Sequence, residues 1–234
     1  MTEELFREDA YLKSCEATVT ALTDAGIELD RTVFYPTGGG QPGDVGTLHT
    51  DNGNIAIVEA QKGQGVGSVI HVPGDGAPLP NVGDKVNAEI DWDRRHKHMR
   101  MHTALHLLCA LVDGQITGAQ VGETKSRIDF NISESPDKAV LGEALNALIA
   151  QDHPVTHSWI TDDDLDAQPD LVRSMSVAPP RGSGRVRTIN IDGVDLQPCG
   201  GTHVKATGEL GAMRIGKIEN KGKQNRRINI LFDE

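Results

Sequence analysis

The sequence predicts an α+β protein in which a small N-terminal β-barrel is followed by an α+β domain with a sheet and about two long helices. Glycine is abundant, with 26 of 234 residues, and only 3% of the residues are aromatic, so we expect a turn-rich chain with an aliphatic core. The first 90 or so residues show short apolar runs between turn residues and no helical periodicity. Beyond them, apolar residues recur every three or four positions, which is typical of amphipathic helices.

The N-terminal half, residues 1–92, is predicted to be the β-barrel domain. Two segments, Asp24-Ala25-Gly26 and Asp51-Asn52-Gly53, carry hairpin turn signals, and the Pro- and Gly-rich run Pro73–Gly83 is predicted to be a loop. The predicted strands are Ala17–Leu22, Ile27–Phe34, Ile55–Ala60, Ser68–Val72 and Val86–Asp91.

The second half, residues 93–234, is predicted to be the α+β domain. A helix from about Asp93 to Val112 ends at Asp113-Gly114, and a second helix opens with Ser135 as its cap and Pro136 at its first position. The apolar stripe of this second helix is Leu141, Ala144, Leu145, Leu148 and Ile149. The predicted strands are Ser126–Asn131, Val155–Ile160, Arg185–Ile191, Ala212–Ile218 and Arg227–Phe232.

The composition narrows the setting in which the protein works. No apolar run is long enough to span a membrane, and the N-terminus lacks the features of a signal peptide. Three cysteines, Cys15, Cys109 and Cys199, do not make a disulfide framework, so we expect a cytoplasmic protein with reduced thiols.

Basic residues are concentrated in two segments although the net charge is −11. Arg94–Arg100 contains four basic residues, and Arg214–Arg227 contains six with a single glutamate. Two compact basic patches on an acidic protein suit a partner with localised negative charge, although runs of charge are also typical of ordinary solvated surfaces.

A cluster of metal-ligating residue types is the most specific signal. His98, His102 and His106 follow one another at intervals of four, so neighbouring pairs share one helix face. Cys199 and His203 flank Gly200-Gly201-Thr202, where glycine allows close approach of the backbone. Three imidazoles and a thiolate suit Zn²⁺. Spacing alone leaves open which helical pair binds, and we favour His102 with His106 because they lie among apolar residues.

Two common motif interpretations are excluded. A zinc protease of the HExxH type needs a glutamate between its histidines, but the segment reads His102-Thr103-Ala104-Leu105-His106. The glycines Gly38, Gly40 and Gly43 match a dinucleotide fingerprint in spacing, but turn residues follow where a helix is required. We therefore expect no nucleotide cofactor.

These motifs resemble a known family. The segments HTALHLL and PCGGTHV are similar to the signature of the alanyl-tRNA synthetase editing domain, and FYPTGGGQPGDVG (Phe34–Gly46) resembles the glycine-rich segment that precedes it. The tail GKIENKGKQNRRI (Gly216–Ile228) also resembles the family. The chain is too short for an aminoacylation domain, so it resembles the free-standing alanyl-tRNA editing proteins of the AlaX type, medium form.

The resemblance implies a fold and a function. The fold is an N-terminal β-barrel with an editing domain like the second additional domain of threonyl- and alanyl-tRNA synthetases. The function is translation fidelity, through hydrolysis of mischarged Ser-tRNA(Ala) and in some members Gly-tRNA(Ala). The implied zinc ligands are His102, His106, Cys199 and His203.

The resemblance also implies contacts with the substrate. The glycine-rich loop would be mobile over the editing pocket, although an ordinary barrel turn explains most of its glycines. Thr117 and Gln120 fall where the pocket-lining segment begins and could meet the serine hydroxyl, although a polar loop explains each of them equally well. The substrate-binding candidates are Thr117, Gln120, Gly38, Gly39, Gly40 and Gln41.

Basic residues supply candidate contacts with the acceptor end of mischarged tRNA, because phosphates are bound mostly by lysine and arginine. The candidates in the tail are Lys217, Lys221, Lys223, Arg226 and Arg227, with buried pairing inside the fold as the alternative. In the other patch, Arg94, Arg95 and Lys97 could act likewise.

Three hypotheses follow. The first is a zinc-dependent deacylase, the second a noncatalytic zinc-stabilised tRNA-binding module, and the third a zinc hydrolase for another activated ester. Four protein ligands are typical of a structural zinc, whereas a catalytic zinc keeps an open position. The sequence therefore leaves open whether zinc activates a water or only positions the substrate. Asp192 and Asp195 precede Cys199 and could accept hydrogen bonds from the ligand imidazoles.

Overall fold

The computed structural model describes residues 2–65, 67–175 and 184–233. The chain divides into two compact units, Met1–His96 and Lys97–Glu234. In the described ranges it forms both strands and α-helices, which confirms the predicted mixed α/β composition. No helix in these ranges has both the length and the apolar content needed to cross a bilayer.

The first unit is built almost entirely from strands. These are β1 (Glu3–Glu4), β2 (Ser14–Thr23), β3 (Gly26–Leu29), β4 (Arg31–Thr32), β5 (Gly46–Thr50), β6 (Gly53–Lys62), β7 (Val69–Pro73) and β8 (Lys85–Ile90). Six of them close into a barrel in the order β2-β3-β7-β6-β5-β8. Inward and outward side chains alternate along barrel strands, and β8 alternates between exposed and buried residues from end to end. The barrel core is aliphatic, as composition predicted, with Phe34 as its aromatic member.

The two predicted hairpins of this unit are confirmed. Antiparallel strands β2 and β3 meet at Asp24-Ala25, and β5 and β6 meet at Asp51-Asn52. The predicted strand Ile27–Phe34 is wrong as one element because it is split at Asp30. The backbone N–H and the carboxylate of Asp30 still bond to the backbone of Thr18 on β2, whereas its carbonyl oxygen accepts from the backbone N–H of Glu3 on β1. The chain therefore changes its pairing partner at this residue, from β2 to β1.

The second unit combines two sheets with helices. Helix α1 (Trp92–Leu111) begins in the first unit and continues into the second, and α2 (Lys138–Ala150) and α3 (Asp162–Asp166) follow. The remaining strands are β9 (Gln115–Gln120), β10 (Lys125–Asn131), β11 (Val155–Thr161), β12 (Arg185–Ile191), β13 (Asp195–Pro198), β14 (Met213–Gly222) and β15 (Asn225–Phe232). They form a four-stranded sheet, β14-β15-β10-β9, and a three-stranded sheet, β11-β12-β13.

The start of α2 differs from the prediction. Asp137, not Ser135, caps the helix, because its carboxylate accepts from the backbone N–H groups of Ala139 and Val140. Such a bond satisfies donors that have no partner inside the helix. Three members of the predicted apolar stripe, Leu141, Leu145 and Ile149, are buried, whereas Ala144 and Leu148 are only half-buried.

Candidate metal centre

Four side chains of the second unit converge on one point. His102, His106, Cys199 and His203 each offer a ligand atom, and these four atoms lie within 4.8 Å of one another. Cys199 Sγ lies 3.6 Å from His102 Nε2 and 3.3 Å from His203 Nε2. The three imidazoles are almost fully buried. The structure thus brings together all four residues that were predicted as ligands.

Two local structures place these groups. His102 and His106 are one turn apart on α1, and their ring centroids are 5.4 Å apart. The other two residues sit in the loop after β13, where the Arg187 guanidinium donates to the carbonyl oxygens of Cys199 and Gly201 at 3.1 and 2.9 Å. Arg187 was missed by the sequence reasoning, and it holds the Cys-Gly-Gly segment against β12.

His98 is not part of this cluster. The sequence placed it among charges, but it is only 1% exposed. His98 lies about one turn before His102 on α1, so it has the same helical spacing as the two ligands. It is nevertheless not one of the four residues whose ligand atoms converge.

Two of the imidazoles are anchored through Nδ1. His203 Nδ1 lies 3.0 Å from Thr103 Oγ1, and His106 Nδ1 lies 3.1 Å from Asp195 Oδ2. These contacts leave Nε2 of each ring available to the cluster. Asp195 is one of the two acceptors suggested by the sequence, whereas the other, Asp192, is exposed.

The environment of the cluster favours a thiolate. Burial alone would raise the pKa of the Cys199 thiol, but electrostatic interactions with His102 and His203 and a hydrogen bond with His102 hold it well below its ordinary value. Burial, together with the neighbouring His102, keeps the pKa of His203 well below its ordinary value. For His106, burial acts to lower the pKa, but hydrogen bonds with Asp195 and Cys199 raise it to about 9. A metal ion would therefore compete with a proton on His106.

The donor set fits a metal ion. Three imidazole nitrogens and one thiolate sulfur match the ligand types and number of a tetrahedral zinc site. Burial of the imidazoles and their anchoring by Thr103 and Asp195 are the surroundings that metal-ligating histidines usually have.

The predicted substrate residues of β9 have partners in the sheet. The Thr117 hydroxyl donates to the Asp129 carbonyl oxygen at 3.2 Å, and the exposed Gln120 accepts from Arg127 at 3.2 Å. Both residues lie on a strand, where the sequence had suggested a loop. Their contact with substrate stays a prediction.

The glycine-rich segment of the first unit forms a tight turn. Gly38 and Gln41 exchange two backbone hydrogen bonds of 3.0 and 2.9 Å, while Gly39 and Gly40 have positive φ. An ideal Cβ on Gly43 would lie 2.0 Å from the Ala60 carbonyl oxygen, so only glycine fits there. This geometry is that of an ordinary barrel turn, and the proposed role over the editing pocket stays a prediction.

The basic residues of the tail fall into two groups. Lys217, Lys221 and Lys223 are exposed, and Lys221 pairs with Glu219 at 2.9 Å. Arg226 is only 8% exposed, and Arg227 makes two hydrogen bonds of 2.8 Å to Asp129. For these two arginines the structure shows the pairing within the fold that the sequence left open.

Arg95 in the other basic patch, which the sequence suggested as a phosphate contact, does not lie on the surface. It is fully buried, and its guanidinium donates to the Asp44 carboxylate and to the carbonyl oxygens of Val33 and Ala10. It is therefore not available to a phosphate group.

Family models match both parts of the chain. Residues 186–229 match the threonyl and alanyl tRNA synthetase second additional domain. Residues 7–94 match the class II (A) tRNA synthetases. The first match includes Cys199 and His203 of the cluster.

Similar curated proteins were also found, and the alanyl-tRNA editing proteins among them match along nearly their whole length. An alanyl-tRNA editing protein AlaX-M of Methanosarcina mazei is 40% identical, with 97% of this chain and 95% of the relative covered. The AlaX-M of Saccharolobus solfataricus is 35% identical, with 97% and 98% covered. The alanine–tRNA ligase of Pyrobaculum neutrophilum is 36% identical over 93% of this chain, which corresponds to 25% of that ligase.

Proposed function

The chain belongs to the AlaX-M family of alanyl-tRNA editing proteins, and on that premise we propose that it hydrolyses the aminoacyl ester of mischarged tRNA(Ala) in trans. The observation that carries the proposal is the convergence of His102, His106, Cys199 and His203 within 4.8 Å.

Zinc is the metal that this donor set favours, and the four cluster residues are its proposed ligands. Bound zinc supplies Lewis-acid chemistry for an ester carbonyl. The protein's own residues hold the site in place: Thr103 and Asp195 fix two of the imidazoles, and Arg187 fixes the Cys199–Gly201 backbone. Residues 93–234 are accordingly the proposed editing domain, and residues 1–92 the proposed barrel domain with its glycine-rich turn.

The proposed substrate is the seryl ester, with the glycyl ester as a second candidate. A protein group that hydrogen-bonds a substrate hydroxyl discriminates strongly against an analogue that lacks it. Thr117 is the leading candidate for that group, because its hydroxyl is half-buried and already oriented by the Asp129 carbonyl. Gln120 is the second candidate, and the turn Gly38–Gln41 remains a proposed substrate contact of the first unit.

The acceptor end of tRNA is the proposed partner. Lys217, Lys221 and Lys223 supply exposed positive charge along β14 and the hairpin that leads to β15. Such contacts position the RNA without identifying it.

The decisive experiment follows amino-acid release from Ser-, Gly- and Ala-tRNA(Ala). We expect rapid release of serine and little release of alanine. Thr117→Val and Gln120→Leu test the substrate contact, with exposed Thr156→Val as the matched control. Removing the residue that contacts the serine hydroxyl should cost the seryl substrate about 1–3 kcal/mol and leave the alanyl substrate unaffected.

Each other outcome has a distinct meaning. Equal slowing of both substrates by both variants would exclude a contact of Thr117 or Gln120 with the serine hydroxyl. Binding of tRNA and zinc without deacylation would replace the enzyme by a noncatalytic binding module. Cleavage of simple activated esters without any dependence on tRNA would indicate a different hydrolase.

A further inference from the structure

Asp195 is a buried carboxylate that contacts the proposed metal ligand His106 and is not one of the four cluster residues. Its side chain is fully buried, and its Oδ2 lies 3.1 Å from His106 Nδ1. On β13 exposed and buried residues alternate, so Asp195 and Gln197 point inward while Leu196 points outward. The strand therefore places two polar side chains, Asp195 and Gln197, beside the Nδ1 atom of His106.

Gln197 and Asp195 compete for the same nitrogen of His106. Its side-chain nitrogen donates to Asp195 Oδ2 at 2.8 Å, and the same nitrogen lies 3.1 Å from His106 Nδ1. A metal ion binds only the neutral imidazole, which has a proton on one of its two nitrogens. If Nδ1 carries it, His106 donates to Asp195 and Nε2 is free to bind a metal. If Nε2 carries it, Nδ1 accepts from Gln197 and the ring cannot ligate through Nε2.

We propose that Asp195 is a positioning residue that holds His106 in the metal-binding tautomer by accepting from Nδ1–H and by accepting the Gln197 amide N–H that could otherwise donate to that nitrogen. A carboxylate only accepts when ionised, so Asp195 favours the Nδ1–H form, whereas the Gln197 amide nitrogen only donates and favours the other form. The other Asp195 oxygen lies 3.9 Å from the Arg173 guanidinium, which compensates the buried negative charge.

His203 provides an internal comparison. Its Nδ1 faces Thr103 Oγ1 at 3.0 Å, a hydroxyl that both donates and accepts and so selects neither tautomer by itself. His106 therefore depends on its anchor more strongly than His203 does. The inference rests on the proposed metal site, and it concerns how this chain prepares one of its ligands.

The test measures zinc affinity by competition with a chromophoric chelator, without tRNA. We expect Asp195→Leu to bind zinc roughly 10- to 100-fold more weakly than the wild type. Adding Gln197→Leu to that variant removes the competing donor and should recover part of the affinity. Gln197→Leu alone should have a small effect, and the exposed Asp192→Leu is the matched control with none.

A second readout reports the tautomer directly. In nitrogen-15 NMR spectra of the zinc-loaded protein, the wild type should show His106 protonated at Nδ1. In Asp195→Leu at the same zinc concentration, a larger fraction of the protein should show His106 released from zinc and protonated at Nε2, while the His203 signals keep the wild-type pattern. Asp195→Asn, which preserves shape, serves if the leucine variant does not fold, and it should also bind zinc more weakly.

Unchanged zinc affinity in folded Asp195→Leu and Asp195→Asn would overturn the inference, as would the absence of any recovery on adding Gln197→Leu. A wild type that binds no zinc would overturn the metal site itself. Wild-type zinc binding without serine release would instead contradict the proposed function and leave the role of Asp195 standing.

Discussion

Two buried histidines, one in each unit, use their imidazoles differently. His71 in the barrel has no exposed surface, and its Nδ1 and Nε2 atoms lie 3.0 Å from the Ile27 carbonyl oxygen and 2.8 Å from Thr32 Oγ1. Because a carbonyl only accepts, Nδ1 carries the proton and the Thr32 hydroxyl donates to Nε2. Both nitrogens are satisfied by the barrel, so His71 is a structural residue.

His106 in the second unit is equally buried but has only one nitrogen engaged by an anchoring residue. Its Nδ1 faces Asp195, and the ring also hydrogen-bonds Cys199. Burial alone therefore does not identify a functional histidine. What distinguishes His106 is that its second nitrogen lies among the ligand atoms of His102, Cys199 and His203.

The largest expected effect is a difference in serine release between a variant of His106 and a variant of His71. His106→Ala should reduce serine release from Ser-tRNA(Ala) by more than the roughly 100-fold that removal of a partner behind a metal ligand can cost. His71→Gln should retain serine release, because the barrel imidazole has no ligand role. Rates are to be compared at equal amounts of folded protein, and near wild-type activity of His106→Ala would remove the distinction.

The buried Arg95–Asp44 pair of the first unit should, like His71, contribute to stability and not to serine release. Arg95→Leu leaves the Asp44 carboxylate buried without its cation and should lower the free energy of unfolding by about 3–5 kcal/mol. The exposed Arg31–Glu3 pair, 3.0 Å apart, is the control, and Arg31→Ala should cost about 0–1 kcal/mol. Urea unfolding measures both, and equal costs would show that burial of the pair has no consequence.

Acid should reveal the structural role of His71. Burial lowers its pKa from 6.5 to about 4, so the unfolded chain binds the proton more tightly than the folded protein. This contribution to stability is complete above pH 6.5 and is lost as the pH falls towards 4. The shift of about 2.5 pKa units corresponds to about 3 kcal/mol.

Urea unfolding of wild type and His71→Gln between pH 7 and 4 checks this expectation. The difference in unfolding free energy between the two proteins should narrow as the pH falls, because glutamine does not titrate. A difference that is constant with pH would contradict a neutral, buried His71.

The smallest effect concerns the exposed lysines. Lys217→Ala and Lys223→Ala should each reduce the salt dependence of tRNA binding by roughly 0.7–0.9 units of slope for every phosphate that the lysine neutralises. Arg226→Ala should instead lower stability and leave the slope unchanged, because its guanidinium donates to Asn220 and to the carbonyl oxygens of Gly222 and Ser133. Slopes unchanged in the lysine variants would assign these residues to an ordinary solvated surface.

Elements with a strong hydrophobic pattern could be predicted from the sequence. Strand β12 has the predicted bounds, and α1 begins and ends one residue before the predicted positions. The strands β5, β9 and β13 were missed because their residues are mostly half-buried or too few to alternate visibly. Pairing with neighbouring strands, which a local pattern does not reveal, defines them.

The site was predictable to the extent that its residues stand at fixed spacings. Two ligands share a helix and two flank a glycine pair, so all four could be named. Thr103, Gln197 and Arg187 could not, because their contacts with the cluster join separate elements of the fold that no local sequence pattern relates. Nothing in the sequence favoured Asp195 over Asp192 as a hydrogen-bond acceptor. The structure distinguishes them, because Asp195 occupies a buried position at the start of β13.

Metal content is the most direct measure of whether His102, His106, Cys199 and His203 form a zinc site. Wild type and His71→Gln, purified without added metal and analysed by atomic emission, should hold about one zinc per chain, as expected for a four-ligand site. Cys199→Ala should hold much less, because it lacks the thiolate that lies 3.3 Å from His203 Nε2. Full zinc retention by Cys199→Ala, or a wild type without zinc, would contradict the account.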